Sequence, residues 1–158
     1  MCIRDRPAIR RWSEVLGTAF QLDLSQPQSH RFSVRLRFCA QQERESIALP
    51  SWTPGSYLER DYVRHLEGLQ ARVNGMPAQL ERRSRHLWWL ENLPIGAAVE
   101  LDYSLLAVEA SVRTNWLDVE TGFLTGAAWA MAVESQRCLL YTSPSPRDLS
   151  TSRMPSSA

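Results

Sequence analysis

The chain has 158 residues, contains arginine but no lysine, and carries a formal net charge of +1. Its length is sufficient to bury the core of one domain, and a charge this close to zero argues against a general nucleic-acid-binding role. The sequence contains no apolar segment of membrane-spanning length and no secretion signal, so we expect neither a membrane nor a nucleic acid as a partner. The compartment is left open, with the cytoplasm marginally preferred, because the natural N-terminus need not be present.

DNA that could encode the first residues of the chain also encodes a stretch near its C-terminal end when the opposite strand is read. Residues 1–5 (MCIRD) can be encoded by DNA whose reverse complement encodes CLLYT, which is residues 138–142. Such an inverted repeat resembles the transposase end sequence of a sequencing library. We therefore predict that residues 1–6 and 138–158 are translated adapter and that the second stretch is disordered. Residues 7–16 are an uncertain upstream segment, and residues 17–137 form the domain.

Strand patterns account for most of residues 17–137. The clearest is at residues 31–40, where four apolar side chains alternate with serine and arginine, as in a half-buried antiparallel strand. Residues 19–24 are predicted to form a hairpin with it. The dipeptide Asn74-Gly75 favours a tight hairpin turn, because both residues tolerate positive φ. Further strands are predicted at residues 46–52, 69–73, 79–82, 86–91, 99–106 and 127–133.

Helical periodicity is weak throughout, and its best candidate is the short stretch at residues 7–16. Several short strands separated by turns rich in proline and glycine are typical of a β-sandwich. The predicted fold class is therefore all-β, an antiparallel β-sandwich that is incomplete at its C-terminal end.

Residues 52–62 (WTPGSYLERDY) concentrate aromatic, turn-forming and charged residues in one short stretch. Proline and glycine preset a rigid turn there, and interfaces between domains favour aromatic side chains and arginine. We interpret the segment as a candidate interdomain or substrate-cleft site, with a salt-bridged strand face as the alternative for its charged residues. The candidate residues are Trp52, Pro54, Gly55, Tyr57, Arg60 and Asp61.

Catalytic and metal-binding patterns are missing from the sequence. None of His30, His65 and His86 is followed by glutamate, so the H-E-x-x-H helix of a zinc peptidase cannot be built from them. We predict no catalytic residue, no metal ligand and no cofactor in this chain. Asp118 and Glu120 could form a glycosidase-like carboxylate pair, but a polar loop is the ordinary interpretation. Cys39 is the lone cysteine of the domain and is expected to be a small hydrophobic residue.

The consecutive residues Trp88 and Trp89 cannot both point inward along one strand. One indole should therefore lie on the outside of the sandwich, at an edge or against a partner. This leaves an alternative function open, a free-standing module in which Trp52, Trp88 or Trp89 stacks on sugar rings or contacts a protein surface.

Three segments resemble one protein family. PSWTPGSYLERDYVRHLEGLQA at residues 50–71, SVRTNWLDVETGFLTGAAWAM at residues 111–131 and FQLDLSQPQSHRFSVRLRF at residues 20–38 resemble the N-terminal domain of the glycyl aminopeptidase family of zinc metallopeptidases. The sequence departs from the family at residues 124–128, where an Asn-Gly-Thr-like turn is expected.

The resemblance implies a β-sandwich that packs against a thermolysin-like catalytic domain, in which zinc is held by two histidines of H-E-x-x-H and a downstream glutamate. The expected function is that of a truncated, non-catalytic N-terminal domain that supports an absent catalytic domain and its peptide-substrate cleft. Its partners would then be its own catalytic domain and, in the parent protein, a peptide with a small N-terminal residue. The use of arginine without lysine is typical of a GC-rich bacterial genome.

Overall fold

The computed structural model describes residues 17–53 and 57–136, and every strand in these ranges is short or of moderate length. The predictions for residues 1–16 and 138–158, including the adapter, the upstream segment and its helix, lie outside the described residues. No helix in the described ranges is long and apolar enough to cross a membrane. The strands are β1 (Ala19–Asp23), β2 (Arg31–Cys39), β3 (Glu45–Ala48), β4 (Leu66–Val73), β5 (Met76–Ala78), β6 (Leu80–Arg82), β7 (Leu87–Leu90), β8 (Ala98–Leu106), β9 (Trp116–Leu117), β10 (Gly122–Phe123) and β11 (Ala132–Val133).

The strands form two packed antiparallel sheets and one small ribbon. A five-stranded sheet has the order β1-β2-β8-β4-β5, a four-stranded sheet has the order β11-β3-β7-β6, and β9 pairs with β10. Every pairing is antiparallel. The predicted all-β sandwich is thus confirmed.

The core lies between the two sheets because alternate side chains of each strand point inward. In the five-stranded sheet, Phe32 is opposite Leu105 and Leu36 is opposite Leu101, and all four are buried. The other sheet contributes Ile47, opposite Trp88. Burying a side chain of this size stabilises the fold by roughly 1.5–3 kcal/mol.

The outer face of the five-stranded sheet is a ladder of ion pairs. The Arg35 Nε lies 2.6 Å from the Asp102 Oδ1, and the Arg37 Nε lies 2.8 Å from the Glu100 Oε1. Arg72, on the next strand, contacts both carboxylates. This face confirms the half-buried character predicted for residues 31–40.

Two connections fix the relation between strands. Asn74 and Gly75 have φ values of 51° and 84°, which confirms the predicted tight turn between β4 and β5. Gln79 alone connects β5 in one sheet to β6 in the other. The sandwich is therefore closed along the side formed by β5 and β6, whereas β1 and β11 are the edge strands of the other side.

Two of the predicted strands are wrong in part. The strand predicted at residues 46–52 ends at Ala48, although the Leu49 N–H still donates to the His86 oxygen at 3.0 Å. Pro50, which has no N–H, then ends the pairing. Residues 127–133 form a 3-10 helix at Gly126–Ala128 and the two-residue β11, because the Ala128 and Trp129 N–H groups bond locally to Thr125 and Gly126.

The strand predicted at residues 69–73 begins earlier, at Leu66. Its register shifts between Glu67 and Gln70, and Gly68 has a φ of 63° there. The preceding residues, Tyr62–His65, form a 3-10 helix. The charged residues of this segment therefore lie outside any strand, but the ion pairing that the alternative expected is present, since Asp61 pairs with Arg85 and Arg64 with Glu109.

The two ends of the sandwich differ in their connections. We define the loop end by residues 24–30, 49–53, 57–65, 83–86 and 107–124. Short connections make up the opposite turn end, at residues 40–44, 74–75 and 91–97. Strand β2 runs from the loop end at Arg31 to the turn end at Cys39.

Candidate interdomain surface

The segment that follows β3 folds back on itself at the loop end. The Arg60 N–H donates to the Ser51 carbonyl oxygen at 2.6 Å, and the Ser51 hydroxyl donates to the Glu59 carboxylate at 3.3 Å. These bonds close a loop around residues 52–59. Pro54 and Gly55, two of the predicted site residues, lie outside the described residues.

The closed loop presents apolar side chains to solvent. Trp52 is about half exposed, Leu58 is exposed, and Tyr57 is exposed over its whole side chain. Exposed apolar groups that lie together are typical of surfaces that contact another protein or a ligand. Trp52 and Tyr57 are thus exposed residues of one loop, and their role in an interdomain or cleft site stays a prediction.

Arg60 and Asp61 lie at the base of this loop and are half-buried. The Asp61 Oδ2 pairs with the Arg85 guanidinium at 2.6 Å, which joins the loop to the turn between β6 and β7. The Arg60 Nε, the Asp61 Oδ1 and the His86 Nδ1 are buried without a hydrogen-bond partner in the protein. Buried polar atoms without partners are uncommon in folded proteins, so the base of this loop has unused hydrogen-bonding capacity.

A second segment, residues 107–124, lies beside the first. The Glu109 carboxylate pairs with the Arg64 guanidinium and lies 3.5 Å from the His65 Nε2. Burial lowers the pKa of His65, and the adjacent positive charge of Arg64 lowers it further. His65 is therefore held neutral, and its Nε2 accepts a hydrogen bond from the Arg64 Nε at 2.8 Å.

Asn115 holds the second segment in place from within. It is buried, its Oδ1 accepts a hydrogen bond from the Thr125 N–H at 3.0 Å, and its Nδ2 donates to the Ala128 oxygen at 3.4 Å. The Thr125 hydroxyl in turn donates to the Thr114 oxygen at 3.0 Å. These bonds give the segment a defined shape although it has little regular structure.

The second segment extends the apolar surface. In the described part of the chain, eight of the ten exposed large apolar side chains lie at the loop end, and the other two, Met76 and Ile95, lie at or beside the turn end. Sequence reasoning missed this concentration, because the apolar residues of the segment follow no strand or helix period. The eight residues are Leu24, Trp52, Tyr57, Leu58, Val108, Val112, Val119 and Phe123.

The carboxylates Asp118 and Glu120 do not form a glycosidase-like pair. The Asp118 Oδ1 accepts hydrogen bonds from the N–H groups of Glu120 at 2.8 Å and Thr121 at 2.7 Å, and its Oδ2 accepts one from the Trp116 indole at 3.1 Å. The Thr121 bond, followed by the Glu120 bond, lowers the pKa of Asp118. Asp118 is thus an ionised carboxylate that holds a turn, which agrees with the ordinary interpretation as a polar loop.

The three histidines occupy separate environments. The His30 Nδ1 lies 2.6 Å from the Leu117 oxygen, His65 contacts Arg64 and Glu109, and His86 follows the turn between β6 and β7. Within residues 17–53 and 57–136, no group of three or more potential ligand side chains could hold a metal ion. These residues do not fit a zinc site.

The paired tryptophans point to opposite faces, as the sequence predicts. Trp88 is only 7% exposed and belongs to the core. Trp89 lies on the outer face of the four-stranded sheet, and the guanidinium groups of Arg44 and Arg83 lie 4.6 Å and 4.2 Å from the centre of its ring. Arginine stacked on an indole is a favourable cation–π contact, so both rings of this pair are occupied within the domain. Cys39 is half-buried at the end of β2.

Comparison with known proteins decides the family. The model of the peptidase M61 N-terminal domain matches residues 19–142, which include all eleven strands. The chain belongs to the peptidase M61 N-terminal domain family. The fold and the resemblance of residues 20–131 thus agree that this is the N-terminal domain of a peptidase.

A solved structure supports the same assignment for this M61 N-terminal domain. The crystal structure of an aminopeptidase N family protein from Idiomarina loihiensis is similar, with a TM-score of 0.68 and 33% sequence identity. The similarity covers 75% of this chain but 20% of that protein, so the M61 N-terminal domain spans about a fifth of the length of its structural relative. The comparison with curated proteins gave no match.

Proposed function

We propose that this M61 N-terminal domain is the non-catalytic part of a zinc aminopeptidase, in which it supports a catalytic domain of the same polypeptide. The observation that carries the proposal is the family match across residues 19–142. The similar structure is described as an aminopeptidase N family protein, and four-fifths of its chain lies outside the similarity, which leaves ample length for a separate catalytic domain.

Zinc, in this proposal, is bound by residues of the catalytic domain. The donor side chains of the described ranges lie too far apart to serve, and each histidine has a different environment. The role of the N-terminal domain is then mechanical. It supplies a preformed sandwich whose loop end contacts the catalytic domain.

The loop of residues 52–61 is assigned to the wall of the peptide cleft. Trp52 and Tyr57 offer exposed apolar surface, and the half-buried Arg60 and Asp61 supply the charged side chains at the base of the loop. A peptide presents both apolar side chains and backbone donors and acceptors. The favoured substrates, by the resemblance to glycyl aminopeptidases, are peptides with small N-terminal residues.

The first experiment is to extend the reading frame past Arg137 in genomic DNA and express the complete protein. We expect an H-E-x-x-H motif within about one domain length, and chelator-sensitive release of small N-terminal residues from peptides. A gene that ends without such a motif, or a protein whose activity is indifferent to chelators, would refute the proposal.

The cleft assignment has its own test. We expect Tyr57→Ala and Arg60→Ala in the complete protein to raise the KM for peptides about tenfold, which is roughly 1.4 kcal/mol of binding free energy. Met76→Ala, an exposed apolar residue next to the turn end, is the matched control and should leave KM unchanged. Equal kinetics for all three variants would exclude these residues from the cleft.

No observation favours the alternative of a sugar-binding module. Trp88 is buried and Trp89 is partly buried with two arginine contacts within the domain, so Trp52 is the most exposed of the three candidates.

A further inference from the structure

We propose that residues 7–16 form a short amphipathic helix that covers an apolar hollow at the turn end of the sandwich. The hollow is lined by described residues, whereas residues 7–16 lie outside the described ranges and join them at Gly17. The inference does not depend on the peptidase function, because it concerns a surface and its occupant within this one chain. It would make residues 7–16 part of the domain.

The hollow is a concave and largely apolar surface. It has a volume of about 570 Å³ and lies beside the connections that make up the turn end. Ile95, which forms part of its wall, is 73% exposed. Apolar surface that lies open at a concave site is typical of a place that another segment or a partner covers. Besides Gly17, the lining residues are Cys39, Ala40, Gln41, Ile95, Gly96 and Gln136.

Hydrogen bonds hold the backbone around the hollow. The Gly96 N–H donates to the Ala40 oxygen at 2.7 Å, and the Ala40 N–H donates to the Ala97 oxygen at 2.9 Å. The Gln136 Nε2 donates to the Cys39 oxygen at 3.0 Å. The walls are therefore fixed before any segment covers them, and a surface that is ordered in advance loses less conformational entropy when it is covered.

The sequence of residues 7–16 (PAIRRWSEVL) has the pattern of an amphipathic helix. Ile9, Trp12 and Leu16 are spaced so that a helix places them on one face. Proline, which is at position 7, is favoured in the first turn of a helix. Ala8 and Val15 flank the apolar face, and the opposite face carries Arg10, Arg11 and Glu14.

The point of attachment favours this segment as the occupant of the hollow. Gly17 directly follows Leu16 and itself lines the hollow, so the segment is tethered at the rim, and a short tether gives a high effective concentration. A helix shorter than about 12 residues is marginal in water by itself, so an apolar face of this kind needs a surface to pack on.

The competing occupant within the chain is the sequence that follows Gln136, which also lines the hollow. Residues 138–158 are predicted to be translated adapter, so they have not evolved beside this surface. Residues 7–16 are therefore the better candidate, and the experiment separates the two.

The experiment compares two residues of nearly equal exposure in the full 158-residue chain. Ile95 lines the hollow and is 73% exposed, whereas Met76 does not line it and is 71% exposed. Ile95→Cys and Met76→Cys are made separately, and the rate of alkylation by a polar maleimide is measured for each introduced cysteine by peptide mass spectrometry. We expect the cysteine at position 95 to react about tenfold more slowly, because the segment must lift off before the reagent can reach it.

A matched pair of double substitutions identifies the segment as the cover. Ile9→Gln with Trp12→Gln removes the apolar face, whereas Arg10→Gln with Glu14→Gln changes the opposite face and leaves the net charge unchanged. Each pair is combined with Ile95→Cys. We expect the first pair to bring the rate at position 95 to within about twofold of the rate at position 76, and the second pair to leave it slow.

The other outcomes would overturn the inference. Equal rates at positions 95 and 76 in the chain with an unchanged segment would show that the hollow is open. Slow reaction at position 95 in both double variants would assign the cover to another segment, such as the one after Gln136. Protection that disappears on dilution would assign it to a second copy of the chain.

A second measurement needs no substitution and so does not depend on the folding of a variant. Nuclear Overhauser contacts between the Trp12 indole protons and the Ile95 methyl groups are expected in the unmodified chain. Assigned resonances of both residues without such a contact would contradict the packing.

Discussion

The two ends of the sandwich are made by the same strands but differ in their connections and in their exposed apolar side chains. At the turn end the connections are short, and the buried Glu45, beside them at the start of β3, accepts hydrogen bonds within the domain. At the loop end the connections are long, and most of the exposed large apolar side chains of the described residues lie there. The difference shows that apolar exposure follows the long connections, and the role of the loop end in contact stays a proposal.

The largest expected effect tests the turn end. The buried Glu45 accepts hydrogen bonds from the Gln41 N–H at 2.8 Å, the Gln42 N–H at 3.3 Å and the Ser135 hydroxyl at 2.6 Å. Glu45→Ala leaves these donors without their acceptor, so we expect the free energy of unfolding to fall by about 3 kcal/mol in a urea titration. The exposed residue Glu43 supplies the control, since Glu43→Ala should change the free energy of unfolding by less than about 0.5 kcal/mol.

The next effect tests whether the loop end holds its shape through Asn115. Asn115→Ala removes the acceptor of the Thr125 N–H and the donor to the Ala128 oxygen, so the free energy of unfolding should fall by about 2 kcal/mol. Amide hydrogen exchange should also rise in residues 107–125 more than in β2 and β8. Uniform exchange across the domain would show that the segment does not depend on this side chain.

A smaller effect tests the tight turn of the turn end. Gly75 has a φ of 84°, a region that side chains with a Cβ rarely adopt, whereas Gly126 has an ordinary φ and open space around it. Gly75→Ala should lower the free energy of unfolding by about 1 kcal/mol, while Gly126→Ala should leave it unchanged or raise it slightly. Thermal unfolding of the two variants side by side measures the contrast, and equal melting temperatures would contradict it.

The smallest expected effect is a pH dependence centred on the loop end. The pKa of His65 is lowered in the folded chain by burial and by Arg64, against the attraction of Glu109 and Asp61. The unfolded chain therefore binds the proton more readily, so stability contributed by neutral His65 is present near neutral pH and is lost as the pH falls below about 6.5.

His65→Gln removes this titration, and the stability of the variant should change less than that of the parent between pH 7.5 and 5.5. His86→Gln provides the comparison. If both variants follow the parent curve, the titrating group lies elsewhere.

The parts of the fold that the sequence predicts are those in which local pattern and tertiary environment agree. The β1–β2 hairpin and the Asn74-Gly75 turn were predicted because strict alternation and positive-φ residues are local signals. The sequence does not predict the 3-10 helix at Gly126–Ala128, because the alanine and glycine residues there show no strand or helix periodicity. Local hydrogen bonds to the backbone oxygens of Thr125 and Gly126 decide its conformation.

The same distinction applies to the candidate site. Trp52 and Tyr57 stand out because a rigid turn and aromatic residues are adjacent in sequence. The pairing of Asp61 with Arg85 and of Arg64 with Glu109 joins residues that are far apart in the chain, so no local pattern reveals it. The apolar surface of residues 108–123 is likewise visible only when the loops are brought together at one end.

The single-residue crossing at Gln79 ties the two sheets together along one side of the sandwich, where β5 and β6 are the edge strands. On the opposite side, the edge strands β1 and β11 have no such short covalent link, so we expect the two sheets to separate there first. Insertion of a few residues at Gln79 should let the sheets shift relative to each other, whereas the same insertion in a long connection of the loop end should leave their packing unchanged.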